Sequence, residues 1–195
     1  MDLNLIKSFI GIIAVILTFV GYVPYIKDTI KGITKPHVYS WFLWGFVTLI
    51  AFALQVSGNG GMGSLVTLVA ALVSFLIFGL GMRNGNKDIS KTDTYFLITA
   101  FIAVVIWVFA KQPIISVVLI SLIDMLGFAP TIRKSWNNPF SETLLTYSMN
   151  TFRHSLGIIA LQQYSVVTCL YPITWVLANG LFSAMLIIRR KQITS

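Results

Sequence analysis

Asp124, Arg153 and His154 lie inside long runs of otherwise apolar residues. A charge in such surroundings costs free energy unless a partner or a proton neutralises it. Three chemistries would do so. Asp124 and Arg153, on consecutive spans, are expected to form a structural salt bridge. Arg153 could hold an anionic group of a bound solute. Asp124 and His154 could exchange a proton, because imidazole titrates near neutrality. A second set of candidates is aromatic and amide in character: Trp44, Tyr147, Asn150, Trp175 and Asn179. Aromatic faces suit a sugar ring or heterocycle, and asparagine amides fix its orientation, so these five are expected to bind substrate. The structural alternative is tryptophan packed between helices and asparagine bonded to a neighbouring backbone.

Spacing groups these residues. His37, Trp41, Trp44, Thr48 and Gln55 follow one another at steps of three, four and seven, which is one face of a helix. Thr143, Tyr147, Asn150 and His154 form a similar stripe, with Arg153 beside it. Thr168, Trp175, Asn179 and Ser183 make a third.

The elements that carry these stripes follow from composition. Of 195 residues, 56% are hydrophobic and 10% charged, whereas soluble domains are roughly a quarter charged. A soluble domain is therefore excluded, and an all-α integral membrane protein is expected. A helix crossing about 30 Å of hydrocarbon needs roughly 17 to 25 apolar residues. Seven stretches qualify: 5–25, 37–56, 63–82, 94–110, 113–131, 142–161 and 166–188. The first is too long for a secretory h-region and lacks a cleavage site, so it reads as a span. Trp107 reads as an interfacial anchor. The segment Gly58–Gly63 reads as a flexible connection.

Orientation follows from lysine and arginine, which favour cytoplasmic loops. With the N-terminus outside, the inner segments hold Lys27, Lys31, Lys35, Arg83, Lys87, Lys91, Arg133, Lys134, Arg189, Arg190 and Lys191; the outer ones hold Lys7 and Lys111. The chain is expected to run N-out, C-in, and its formal charge of +8 reports topology and no nucleic-acid partner.

An offset of 106 residues lays Gly21-Tyr22-Val23-Pro24-Tyr25-Ile26-Lys27 over Gly127-Phe128-Ala129-Pro130-Thr131-Ile132-Arg133. The same offset places Trp41 over Tyr147, Trp44 over Asn150 and Thr48 over His154, so the two stripes share a register and are expected to line one cavity. At the positions matching Trp175 and Asn179 span three has only Val69 and Val73, so the pocket should be lopsided. Four spans separate equivalent helices, which makes this a parallel repeat. The expected divisions are 1–82 and 113–195 as triple-helix bundles, with 83–112 as linker helix. Pro24 and Pro130 are either paired hinges or helix ends; Pro172 is expected to bend span seven.

The seven spans, the basic loop after each repeat's first helix and the repeated G-x-x-P resemble the SWEET and PQ-loop transporter superfamily over nearly the whole chain. Pro24-Tyr25 and Pro130-Thr131 stand where PQ-loop members have Pro-Gln. The resemblance implies two triple-helix bundles joined by a fourth helix, a solute pathway between them, proline hinges for alternating access and a central pocket of Trp and Asn, matched best by Trp175 and Asn179. It also reaches a cargo receptor that binds a peptide end.

The expected function is therefore transport of a small polar metabolite (sugar, amino acid or vitamin-like) by alternating access, as a uniporter or coupled to protons. The alternative is a membrane receptor or sorting protein that binds without transporting. No enzyme motif is present: no phosphate loop, no H-E-x-x-H, no nucleophile elbow. Cys169 is the single cysteine, and no metal or cofactor is expected. The expected partners are the solute and the lipid bilayer of the plasma (inner) membrane; a homo-oligomer is left open.

Overall fold

Runs of Ile, Val, Leu and Phe offer the backbone no side-chain partners, so the chain closes its own hydrogen bonds as helix. A computed structural model describes residues 3–34, 36, 38–84 and 91–194. Among the described residues seven α-helices form: α1 (Leu3–Ile30), α2 (Val38–Ser57), α3 (Ser64–Asn84), α4 (Lys91–Ala110), α5 (Pro113–Asn137), α6 (Leu144–Ile159) and α7 (Val166–Thr194), with short 3₁₀ turns at Gly61–Gly63 and Pro139–Ser141. Among the described residues, α1, α2, Gly61–Arg83 and α7 are long and apolar enough to cross a membrane. Helix α6 is shorter, at 16 residues, and carries much of the polar stripe. His37 lies outside the described residues, as does the side chain of Trp107.

Helix α1 shows how the surface is built. Leu5, Phe9, Ile12, Ile16 and Phe19 face outward, while Gly11, Ala14, Thr18, Gly21, Tyr22 and Tyr25 are buried. Large apolar groups lie outside and small or polar groups inside, an inversion that suits hydrocarbon as solvent. Several mid-helix threonine and serine hydroxyls return to their own helix, as Thr18 does to the Ala14 carbonyl (2.8 Å) and Ser74 to the Ala70 carbonyl (2.9 Å).

Packing order differs from chain order. Helix α3 lies between α1 and α2, and α7 lies between α5 and α6. The two groups meet where α1 runs along α6 and, less extensively, where α2 meets α5; α4 packs on α5 and touches α2.

Neither Pro24 nor Pro130 ends its helix. Helix α1 continues to Ile30 and α5 to Asn137, so the helix-end reading is corrected. Pro172 also lies within α7.

The Gly58–Gly63 segment is likewise not a loose connection. It packs its backbone against the α6–α7 turn. The Gln162 amide donates to the Gly60 carbonyl (3.1 Å), the Gln55 side-chain amide to the Thr168 carbonyl (3.0 Å) and Lys7 Nζ to the Leu161 carbonyl (2.7 Å). A Cβ on Gly63 would stand 2.6 Å from the Gly157 carbonyl oxygen and 2.7 Å from the Leu161 nitrogen. Gly61 has φ +62°, which glycine adopts without strain. Missing side chains thus let the two turns close this end of the bundle. At the opposite end Arg190 donates to the carbonyls of Pro139 (3.1 Å) and Glu142 (2.6 Å), tying the end of α7 to the α5–α6 connection.

Candidate functional site

A cavity of about 50 Å³ lies between the two helix groups, room for a few water molecules. Helix α1 contributes Tyr22 and Tyr25; α2 contributes Trp41, Trp44 and Thr48; α3 contributes Ala70 and Ser74. Across from them stand Phe128 of α5, Thr146, Tyr147, Asn150, Arg153 and His154 of α6, and Tyr171, Trp175 and Asn179 of α7. All five aromatic and amide candidates are among them, and so are Arg153 and His154. Pro24 is not on this wall; the side chain of Pro130 lies outside the described residues.

The 106-residue offset reappears here as geometry. Tyr22 and Phe128, Trp41 and Tyr147, Trp44 and Asn150, and Thr48 and His154 are equivalent pairs, and every member faces the same cavity. The α3 and α7 walls are unequal, with two small residues on one and Tyr171, Trp175 and Asn179 on the other.

Rings form much of the wall. Trp44 meets Trp41 edge-on (centroids 5.2 Å apart) and approaches Trp175 (6.4 Å) and Phe128 (6.4 Å), the arrangement the ring quadrupole favours. Trp41 Nε1 donates to the Tyr25 hydroxyl (3.2 Å), and the Tyr147 hydroxyl donates to Glu142 Oε2 (2.8 Å).

The expected Asp124–Arg153 salt bridge does not form. Helix α7 stands between α5 and α6, and its side chains take up the Asp124 carboxylate. The Tyr171 hydroxyl donates to Oδ2 at 2.6 Å and Trp175 Nε1 donates to the same oxygen at 3.1 Å. Since the Tyr171 proton is used there, Thr48 Oγ1 donates to the Tyr171 oxygen (2.8 Å). Asp124 is fully buried behind the Tyr171 and Trp175 side chains rather than on the cavity wall, and its Oδ1 has no hydrogen-bond partner among the described residues.

Arg153 is held separately. Its Nε donates to Asn150 Oδ1 (2.8 Å), and one terminal nitrogen, Nη2, donates to the Tyr22 hydroxyl (3.2 Å). The guanidinium also lies 5.3 Å from the Tyr22 ring centroid, within cation–π range. Its Nη1 is buried without a hydrogen-bond partner among the described residues. Asn150 also donates to Asn179 Oδ1 at 3.4 Å, and Asn179 donates to the Trp175 carbonyl at 2.8 Å. Both asparagines thus hold neighbours in place as well as facing the cavity.

Removing both charged groups should therefore bring no rescue. The Asp124→Asn, Arg153→Gln double variant is expected to be no more stable than its less stable parent, because neither group neutralises the other. Thermal unfolding of both singles and the double checks this. A double variant more stable than either single would restore the pair.

Tyr22, Tyr25, Phe128, Tyr171, Ser74 and Thr146 join the wall without having been expected there. Two signals could have found some of them. Tyr22 and Phe128 share the offset that aligned the other pairs, and Tyr171 precedes Trp175 and Asn179 on one helical face at steps of four. Ser74 carries no such signal. No protein-family model matches the chain, and neither a curated protein nor a solved structure does.

Proposed function

We propose that the chain is an integral membrane transporter that moves a small polar solute by alternating access, with the cavity as the solute site. The observation that carries this reading is the cavity's position. Both helix groups line it through equivalent residues, so relative movement of the groups would remake the site and change the end to which it opens. Close backbone packing at the glycine-rich end is the kind of seal that such movement would break. Pro24 and Pro130 interrupt backbone bonding within α1 and α5 and are the proposed hinges. The excess of basic residues at one end supports an N-out, C-in orientation, and the plasma (inner) membrane is the proposed location.

Coupling to protons is the favoured form. Asp124 has hydrogen-bond donors but, among the described residues, no salt-bridge partner, so its carboxyl group is suited to take up and release a proton during the cycle. His154 is the proposed second station on the cavity wall.

Counterflow in proteoliposomes tests the transporter reading, because a transporter exchanges labelled solute across a sealed bilayer and a receptor only binds it. Trp44 is the informative position: its ring meets those of Trp41, Phe128 and Trp175 on the cavity wall, and its Nε1 has no hydrogen-bond partner among the described residues. Trp44→Ala is expected to slow exchange roughly three- to tenfold, the worth of lost ring contacts. Binding without exchange in the wild type would make the chain a receptor or sorting protein.

A further inference from the structure

The geometry points to a small monocarboxylate with a flat apolar body as the solute, its carboxylate bound by Arg153. This rests on the reading of the cavity as the solute site and adds the charge of what occupies it. Arg153 is 2% exposed, and Asn150 and Tyr22 hold its Nε and Nη2. The guanidinium is therefore oriented before any ligand arrives, which lowers the ordering cost of binding. Nη1 remains unused.

A second unused donor belongs to a side chain of the same wall, the indole N–H of Trp44. The unused acceptors Asp124 Oδ1 and Gln55 Oε1 belong to side chains outside the wall. The buried unpartnered atoms of the wall's side chains are therefore donors, together with one hydroxyl, on Thr146. A carboxylate supplies the complementary acceptors and neutralises a guanidinium that no described acid pairs with. Two donors and one cationic side chain suit a monoanion, since a dianion would leave a buried charge uncompensated. The aromatic remainder of the wall would hold the flat body.

Equilibrium dialysis of the purified full-length chain against radiolabelled benzoate, with nicotinate, benzamide and nicotinamide as competitors, tests the inference. Nicotinate is expected to displace benzoate, and the two amides to do so about ten- to a hundredfold less well, the worth of a hydrogen bond to a charged group. Arg153→Gln should remove the preference for carboxylate over amide, and Arg153→Lys should retain part of it. If Arg153→Gln fails to fold, Trp44→Phe keeps an aromatic ring, deletes the second donor and should weaken benzoate more than benzamide. Equal competition by the amides, benzoate binding that survives Arg153→Gln, or no carboxylate binding to the wild type would each overturn the proposal. Benzoate that binds but does not exchange in vesicles would leave the anion site and remove the transporter. Exchange of an uncharged solute, indifferent to benzoate, would keep the transporter and remove the anion site.

Discussion

Asp124→Asn is expected to abolish accumulation driven by a pH gradient, so that the ratio of internal to external solute falls to one, while exchange at equal pH continues. The side-chain oxygen of asparagine can accept the bonds that Tyr171 and Trp175 give to Oδ2. The local geometry should survive. What the amide cannot do is carry a proton, and exchange without net movement needs none. An amide nitrogen in the place of Oδ1, which has no partner, would be an unsatisfied donor costing about 1–3 kcal/mol, so some loss of thermal stability should accompany the change. Asp124→Leu is the contrasting case, since it leaves the Trp175 N–H and the Tyr171 hydroxyl without their acceptor and should be the less stable variant. The measurement is uptake into proteoliposomes with and without an imposed gradient, alongside the melting temperature. Wild-type accumulation in Asp124→Asn would end the coupling role.

The glycine-rich end should tolerate almost no added volume. Gly63→Ala is expected to destabilise the fold by about 1–3 kcal/mol, the usual cost of overpacking. The atoms its Cβ would strike are backbone, namely the Gly157 oxygen at 2.6 Å, the Leu161 nitrogen at 2.7 Å and the Ala160 carbonyl carbon at 2.9 Å. Backbone cannot rotate aside as a side-chain tip can. Gly79→Ala in α3 serves as the opposite case, because nothing lies within 4 Å of its Cβ position. Alanine there should be neutral or add about 0.5–1 kcal/mol through helix preference. Thermal unfolding of both variants decides, and a Gly63→Ala protein as stable as the wild type would show that this seam is not closely packed.

The helical layout was legible in the residues themselves, because apolar runs and their breakers are local signals: each expected stretch overlaps one of the observed helices, α6 lying wholly within its stretch and α1, α5 and α7 running furthest beyond theirs. The polar stripes of α2 and α6 were legible for the same reason, since a period of 3.6 reports which face of a helix is polar. The 106-residue offset went further and related the Trp44 face to the Asn150 face. Periodicity does not say which helix a face meets, and adjacency in the chain is a poor guide to adjacency in space. That is why Asp124 and Arg153, expected as partners on consecutive helices, are divided by α7, and why Tyr171, which no polar stripe included, donates to the carboxylate. The same limit applies to the glycines of the α2–α3 turn, which in sequence look like slack. Only the arrival of the α6–α7 turn, brought there by packing between segments some hundred residues apart, makes the absence of a Cβ at Gly63 the condition for closing that end of the bundle.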